Sequence, residues 1–287
     1  MPAKLRINMM LHFIISVTGI LITIFFVVGT HEFAHFAAAR LAGVKVLRFS
    51  IGFGKKILGW RGKTGTEYII ALIPLGGYVK MLDENEGKVE TREKRLAFNR
   101  QPYYKKFFIV AAGPLTNICC ALVLYWLIFM IGFTTLKPLI GTVNPHSIAE
   151  AGGLKSNQEI IKVDDKKIVD WGGFILRLIV HAGNQDTIKI ETSNENNIVR
   201  QHILNLESWR MDNLTPDPLG SIGILPLLPK AGPHFKMQDK FLRKIQYPPQ
   251  EAFVQALRQI YNFTYFNFLL IGKLVTGKLS LQSLAGL

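Results

Sequence analysis

From Met9 to Gly29 the chain carries no Asp, Glu, Lys or Arg, only apolar and small uncharged residues with His12 among them. That length matches the ~20 residues a helix needs to cross ~30 Å of hydrocarbon. Lipid offers no partners to backbone N–H and C=O groups, so an isolated run of this kind is driven to helix. The run leads directly into His31-Glu32-Phe33-Ala34-His35. Residues i and i+4 of a helix lie about 40° apart on one face, so both imidazoles can reach one metal ion. Glu32 projects beside them, placed to take a proton from metal-bound water. His31 and His35 are therefore the candidate metal ligands, for Zn2+, and Glu32 the candidate catalytic base. Ionisable groups at the end of a membrane helix are costly and mark functional sites by default. The plain alternative is a helix terminus with two interfacial histidines and a glutamate.

A cleavable leader is a second alternative, with Lys4 and Arg6 as its charged start and Ala37-Ala38-Ala39 as its small residues. The apolar run is too long for an h-region of about 7–15 residues, and another apolar span follows. A retained membrane helix is predicted. Of the 287 residues 49% are hydrophobic, as expected of a few spans plus a water-exposed part. The formal charge of +14 would ordinarily suggest nucleic acid. Here the basic residues concentrate between two apolar spans, from Arg40 to Lys106. That is the positive-inside pattern, which puts residues 40–106 in the cytoplasm and the N-terminus and everything after the second span outside. The predicted partner is the lipid bilayer, with no nucleic acid. Cys119 and Cys120 are adjacent, point about 100° apart on a helix, and imply no disulfide framework.

The predicted elements follow the chain. Helix one covers about Met10 to Leu41 and stops at Gly43. Strand-like stretches lie at Leu47–Gly54 and Glu67–Leu72, joined by a turn at Gly62-Lys63-Thr64-Gly65. Ile73 to Val79 either continues the second strand or leaves it in a bend. This hairpin either dips into the membrane or over the site, or is a small sheet packed on the helices. Gly52 and Gly54 allow close backbone approach, so an edge could pair with an extended peptide substrate. Asp83 to Arg100 reads as a charged loop or short helix. The second span is Phe107–Phe133, interrupted by Gly113, Pro114, Thr116 and Asn117. At the depth of the histidines, Asn117 could hydrogen-bond a metal-bound species or a substrate carbonyl; the alternative is an ordinary interhelical hydrogen bond.

Residues 134–230 read as an α/β module: a strand at Ile140–Val143, a short helix from Ser147 that ends at glycine, and a strand pair around Asp164-Asp165. An amphipathic helix from Trp171 to His181 and strands at Thr187–Glu191 and Ile198–Ile203 complete it. The pattern Pro145-x-Ser147-x-Ala149-x-Ala151-Gly152-x-Leu154 resembles a circularly permuted bacterial PDZ domain, with Asn157-Gln158 where Gly-Asp is usual. A basic linker with Pro248-Pro249 leads to a helix from about Gln250 to Leu274, predicted to lie on the membrane rather than span it.

The metal motif, Phe49–Gly54, Pro74–Met81, Phe98-Asn99, Ala112–Asn117, the PDZ-like module and Gly272-Lys273-Leu274-x-Thr276-Gly277 together resemble the site-2 protease family of intramembrane zinc metalloproteases, in its bacterial sigma-E-regulating branch. The resemblance implies an α-helical polytopic membrane protein with a membrane-associated β-hairpin region and an inserted PDZ-like α/β domain. It implies residence in the bacterial inner membrane, with the N-terminus and the PDZ-like module periplasmic. It also implies cleavage of membrane-protein substrates with a single transmembrane segment, such as anti-sigma factors or signal-peptide remnants. The expected organisation is 1–42 helix one, 43–106 hairpin and basic loop, 107–133 second span, 134–230 PDZ-like module, and 231–287 linker and membrane-associated helix.

Two departures accompany the resemblance. Relatives often carry two PDZ modules, and this chain has room for one. The family's third zinc ligand is an aspartate in Leu-Asp-Gly on a later helix; no Leu-Asp-Gly occurs here, and Leu82-Asp83-Glu84 offers only a distant substitute. The expectation is a chain that ends before that helix and has little activity alone. The competing expectations are a non-catalytic, membrane-tethered PDZ binding module and a metallopeptidase acting on soluble peptides at the membrane surface.

Overall fold

The computed structural model describes residues 3–181, 186–207, 209, 217–229 and 239–277. They form two compact units, 1–121 and 122–287. The first holds helix α1 (Ala3–Leu41), strands β1 (Val46–Arg61) and β2 (Glu67–Met81), two short 3-10 helices (Thr91–Leu96 and Phe98–Arg100), and helix α2 (Tyr103–Ile131) as far as Ala121. Both α1 and α2 are long and apolar enough to cross a membrane. Along the first part of α1 large apolar side chains such as Phe13 and Ile22 are exposed, as a lipid-facing helix requires. The helix begins at Ala3, ahead of the expected Met10.

The far end of α1 is closed by a Schellman turn. Gly43 takes φ +82°, its N–H donates to Arg40 O at 3.1 Å, and Val44 N–H donates to Ala39 O at 2.8 Å. Lys105 Nζ donates to Ala42 O at 2.7 Å, placing a cation on the negative end of the helix dipole. Just beyond the histidines, Phe36, Ala39, Ala42, Val46, Phe49 and Ile109 form a buried cluster. The Phe36 ring lies 5.3 Å from that of Phe49 and 5.8 Å from that of Tyr68. Alanines at 38, 39 and 42 are nearly or fully buried, so small side chains let neighbouring backbone come close to the motif.

The hairpin is longer than the sequence indicates, and β2 continues unbroken through Ile73–Val79. It doubles over. Residues 48–51 sit opposite both 77–80 and 67–70, while 58–61 sit opposite 67–70, with register breaks around Gly52–Lys56. Ile57, Trp60, Leu72 and Leu75 remain exposed on it. Asp83 to Arg100 holds the two 3-10 helices, and α2 starts at Tyr103, four residues before the expected Phe107.

The second unit contains β3 (Phe133–Leu136), β4 (Ile140–Val143), α3 (Ile148–Ala151), β5 (Glu159–Val163), β6 (Lys166–Lys167), α4 (Trp171–His181), β7 (Thr187–Ser193), β8 (Val199–Asn205), α5 (Pro218–Ser221), β9 (Ile224–Pro226), β10 (Leu242–Ile245) and α6 (Pro249–Val275). One sheet has the order β6-β5-β7-β8, and β4 pairs with β9. Alternation sets its core: Ile188, Ile190 and Thr192 of β7 point inward. Phe174, Leu178 and Ile179 come from one face of α4, whose start is capped by Asp170 accepting from Gly173 N–H at 2.8 Å. The Asp164-Asp165 turn has both residues at positive φ. Asp164 also bonds His181 Nε2 at 2.7 Å and Lys189 N–H at 3.1 Å, which ties the turn to α4 and β7.

Where a linker is expected, Leu242–Ile245 pairs with β3; residues 230–238 lie outside the described residues. Arg243 on β10 binds Glu159 and the carbonyls of Ile168 and Val169. On α6, Phe266, Leu270 and Leu274 pack against the core of this unit while Tyr261, Phe268 and Val275 stay exposed. At least one stripe of the helix expected to lie on the membrane therefore covers protein.

Phe174 is fully buried and its ring lies 6.0 Å from that of Trp171. Phe174→Ala is expected to cost about 3–5 kcal/mol of stability. Thermal unfolding in detergent, followed by tryptophan fluorescence, checks this; an unchanged transition would show that the core is not built around this ring.

Candidate functional site

The last turns of α1 carry His31, Glu32 and His35 against α2 and the hairpin. The imidazoles meet edge to face, with centroids 4.8 Å apart, and their Nε2 atoms converge to 3.2 Å. The outer nitrogens are both engaged by α2. His35 Nδ1 donates to Ile109 O at 2.7 Å, and Asn117 Nδ2 lies 3.1 Å from His31 Nδ1. The Asn117 Oδ1 atom is buried and accepts no hydrogen bond. Ile109, Gly113 and Asn117 follow one another at i, i+4 and i+8, so a single face of α2 meets the histidines.

Gly113 supplies the space. A Cβ there would lie 2.7 Å from His31 Nε2 and closer still to His35 Nε2. Gly77 plays the matching part on the hairpin, where a Cβ would lie 2.6 Å from Ser50 O and 2.8 Å from Glu32 Cγ. Glu32 thus rests on bare backbone. Gly52 and Gly54 sit at the doubling-over of the hairpin, with φ +92° and +86°. A Cβ on Gly52 would press on the carbonyls of Ala71 and Ile73, and Ser50 Oγ donates to Gly52 O at 3.1 Å. Gly77, part of the Pro74–Met81 motif but not singled out as a site residue in the sequence, is the glycine packed on Glu32.

The donor set suits a metal ion. Two imidazole nitrogens on one tetrahedral zinc, at ~2.0–2.1 Å each, stand about 3.3 Å apart. The observed 3.2 Å needs almost no adjustment. No third His, Cys, Asp or Glu joins them among the described residues. Glu84 is engaged elsewhere: Arg100 binds it at 2.6 Å and Asn99 at 3.2 Å. That pairing with Arg100, helped by Asn99, holds the Glu84 carboxyl below its ordinary range. Asp83 accepts from Asn85 N–H at 2.8 Å. Neither acid of Leu82-Asp83-Glu84 stands in as a third ligand here.

Residues 19–287 match Peptidase family M50. The chain belongs to that family. The M50 chain is 43% identical over 205 residues to a protein named putative zinc metalloprotease from Vibrio cholerae, covering 71% of this chain and 45% of that protein. It is 41% identical over 213 residues to Protease RseP of Yersinia pestis (74% and 46%). It is 38% identical over 224 residues to Regulator of sigma-E protease RseP of Escherichia coli K12 (78% and 50%). The chain spans about half the length of these relatives. The family assignment agrees with the site-2 protease resemblance and makes this M50 chain a membrane protein.

Gly113→Ala is expected to drive the two rings apart and to weaken metal binding by at least about 100-fold. Gly19→Ala, where a Cβ meets nothing within 4 Å, is its control. Competition titration with a chromophoric chelator reads both, and equal affinity in the two variants would show that the gap is not needed.

Proposed function

We propose that this chain is part of an intramembrane zinc metalloprotease that cuts membrane-spanning segments of other proteins. The observation that carries the reading is the convergence of His31 Nε2 and His35 Nε2 to 3.2 Å at the end of an apolar helix long enough to span a bilayer. His31 and His35 hold the metal. Glu32, supported by Gly77, takes the proton from the attacking water and is placed to return it to the leaving amine. Zinc, when bound, lowers the pKa of water and polarises the scissile carbonyl. A catalytic zinc needs three protein ligands, so one more comes from outside the described residues.

The hairpin's share is to hold substrate. A transmembrane helix must unwind before a protease can reach its backbone, and an unwound segment in lipid needs new hydrogen-bond partners. The doubled hairpin offers them by strand addition at its outer edges, with Gly52 and Gly54 making the bend next to the doubly flanked residues 48–51. The exposed Ile57, Trp60, Leu72 and Leu75 suit a surface that meets lipid or an apolar peptide. In the second unit the four-stranded antiparallel sheet with α3 and α4 supports the PDZ-like reading, a module that captures a peptide end. The names of the relatives, regulators of sigma E, support substrates of the anti-sigma-factor kind; that such a substrate has a single transmembrane segment is part of the proposal. The basic residues from Arg40 to Lys106 support a cytoplasmic placement for the hairpin side and a periplasmic one for the second unit, in the bacterial inner membrane.

Glu32→Gln in the intact protein, reconstituted with a single-span substrate, is expected to lower turnover by about 10²–10⁴-fold while zinc stoichiometry stays unchanged. His31→Ala and His35→Ala are expected to lose the zinc as well. Full turnover in Glu32→Gln would contradict the assignment and favour a binding role.

A further inference from the structure

The second unit holds a small basic cavity that neither the metal site nor the sheet core uses. Its volume is about 180 Å3, and Lys167, Val169, Arg243, Lys244, Gln246 and Tyr247 line it. Lys167 lies on β6, the edge strand of the four-stranded sheet, while Arg243 and Lys244 lie on β10. Arg243 spans the gap between the two strands. Its guanidinium binds Glu159 and donates to Ile168 O at 3.4 Å and Val169 O at 3.1 Å.

The depth of the cavity is set by α2. Tyr247 N–H donates to Phe129 O at 3.0 Å and Gln246 Nε2 donates to Met130 O at 3.1 Å, both in the last turn of that apolar helix. Lys244 pairs in register with Thr134, just past the helix end at Ile131. The Tyr247 ring lies 5.9 Å from that of Phe129, and Trp126 Nε1 donates to Pro249 O at 2.8 Å. Tyrosine and tryptophan gathered at the end of a span mark headgroup level. Ile128 and Ile131 are exposed there, a surface suited to acyl chains.

The charge of the cavity is unbalanced. Lys162 pairs with Glu191, Lys189 with Asp165 and Arg243 with Glu159. Asp170, beside Val169, accepts from Gly173 N–H at 2.8 Å and Thr135 Oγ1 at 3.4 Å. Lys167 and Lys244 are exposed and have no carboxylate partner among the described residues. An anion is the occupant that fits. A peptide strand does not fit, because the carbonyls of Ile168 and Val169 that it would need already accept from Arg243.

We propose that this cavity binds the headgroup phosphate of an anionic glycerophospholipid, held between Lys167 and Lys244 in the leaflet that the second unit faces. The volume is several times a water's ~30 Å3 share, enough for a phosphate with its glycerol. Each lysine close to anionic lipid contributes about fivefold in affinity. The lipid thus joins the sheet edge of the α/β module to the strand pair that leaves the span, and fastens the second unit to the bilayer at the joint that Arg243 closes.

Native mass spectrometry of the full chain in detergent, titrated with phosphatidylglycerol, tests this without reference to the metal site. Lys167→Gln with Lys244→Gln is expected to weaken retention of the lipid about 30-fold. Lys63→Gln with Lys88→Gln removes the same charge from exposed positions of the first unit and is expected to leave retention unchanged. Full retention in the first pair, or equal losses in both pairs, would overturn the proposal. Two measurements on the unaltered protein guard against misfolded variants. Phosphatidylcholine, whose choline cancels the phosphate charge, is expected to be held more weakly than phosphatidylglycerol; equal retention would count against the site. Excess inorganic phosphate is expected to leave the lipid bound, and complete displacement would assign the cavity to the free anion and overturn the lipid assignment.

Discussion

The site depends on the approach of α2 to the histidine face of α1 at Gly113. A side chain at that point would occupy the space where the two Nε2 atoms converge. With none there, Ile109 O and the Asn117 amide both come within hydrogen-bond distance of the outer ring nitrogens. Neither ring then depends on its own rotamer preference, because each is held from behind by a different turn of the same helix. This is how two flexible side chains on a long apolar helix acquire one fixed geometry, the condition for a preorganised centre.

The hairpin imposes a similar constraint from the other side. Gly77 lies against Glu32, and the small residues around Ala38 and Ala39 bring sheet and helix together below it. Two glycines on two elements thus position the histidine pair and the acid separately. The Schellman turn at Gly43 and the lysine on Ala42 O end α1 just past the motif. The chain is thereby turned into β1 close to the residues it must support.

Much of this was legible in the sequence. The i, i+4 histidines, the uncharged run before them and the Gly43 stop are local signals, and local signals survive folding. The same holds for Trp171–His181, whose apolar spacing alone defines the helix, and for the Asp164-Asp165 turn. The role of Gly77 was hidden because a glycine's use for close approach depends on which element lies opposite. Asn117 was recognised as a residue in need of a partner, but the partner, His31 Nδ1, lies 86 positions away. The doubling-over of β1 and β2 and the packing of α6 were missed for the same reason: register and the choice between lipid and protein are tertiary facts. An apolar stripe of Phe266, Leu270 and Leu274 looks alike whether it meets a bilayer or a core.

The central claim, that His31 and His35 together form the protein's metal-binding pair, is tested most directly by X-ray absorption at the zinc edge on the metal-loaded protein. The account predicts a first shell of nitrogen and oxygen alone at ~2.0–2.1 Å, with outer-ring scattering from two imidazoles per zinc. Sulfur at about 2.3 Å, as Cys119 or Cys120 would give, or scattering from fewer than two imidazoles would contradict it.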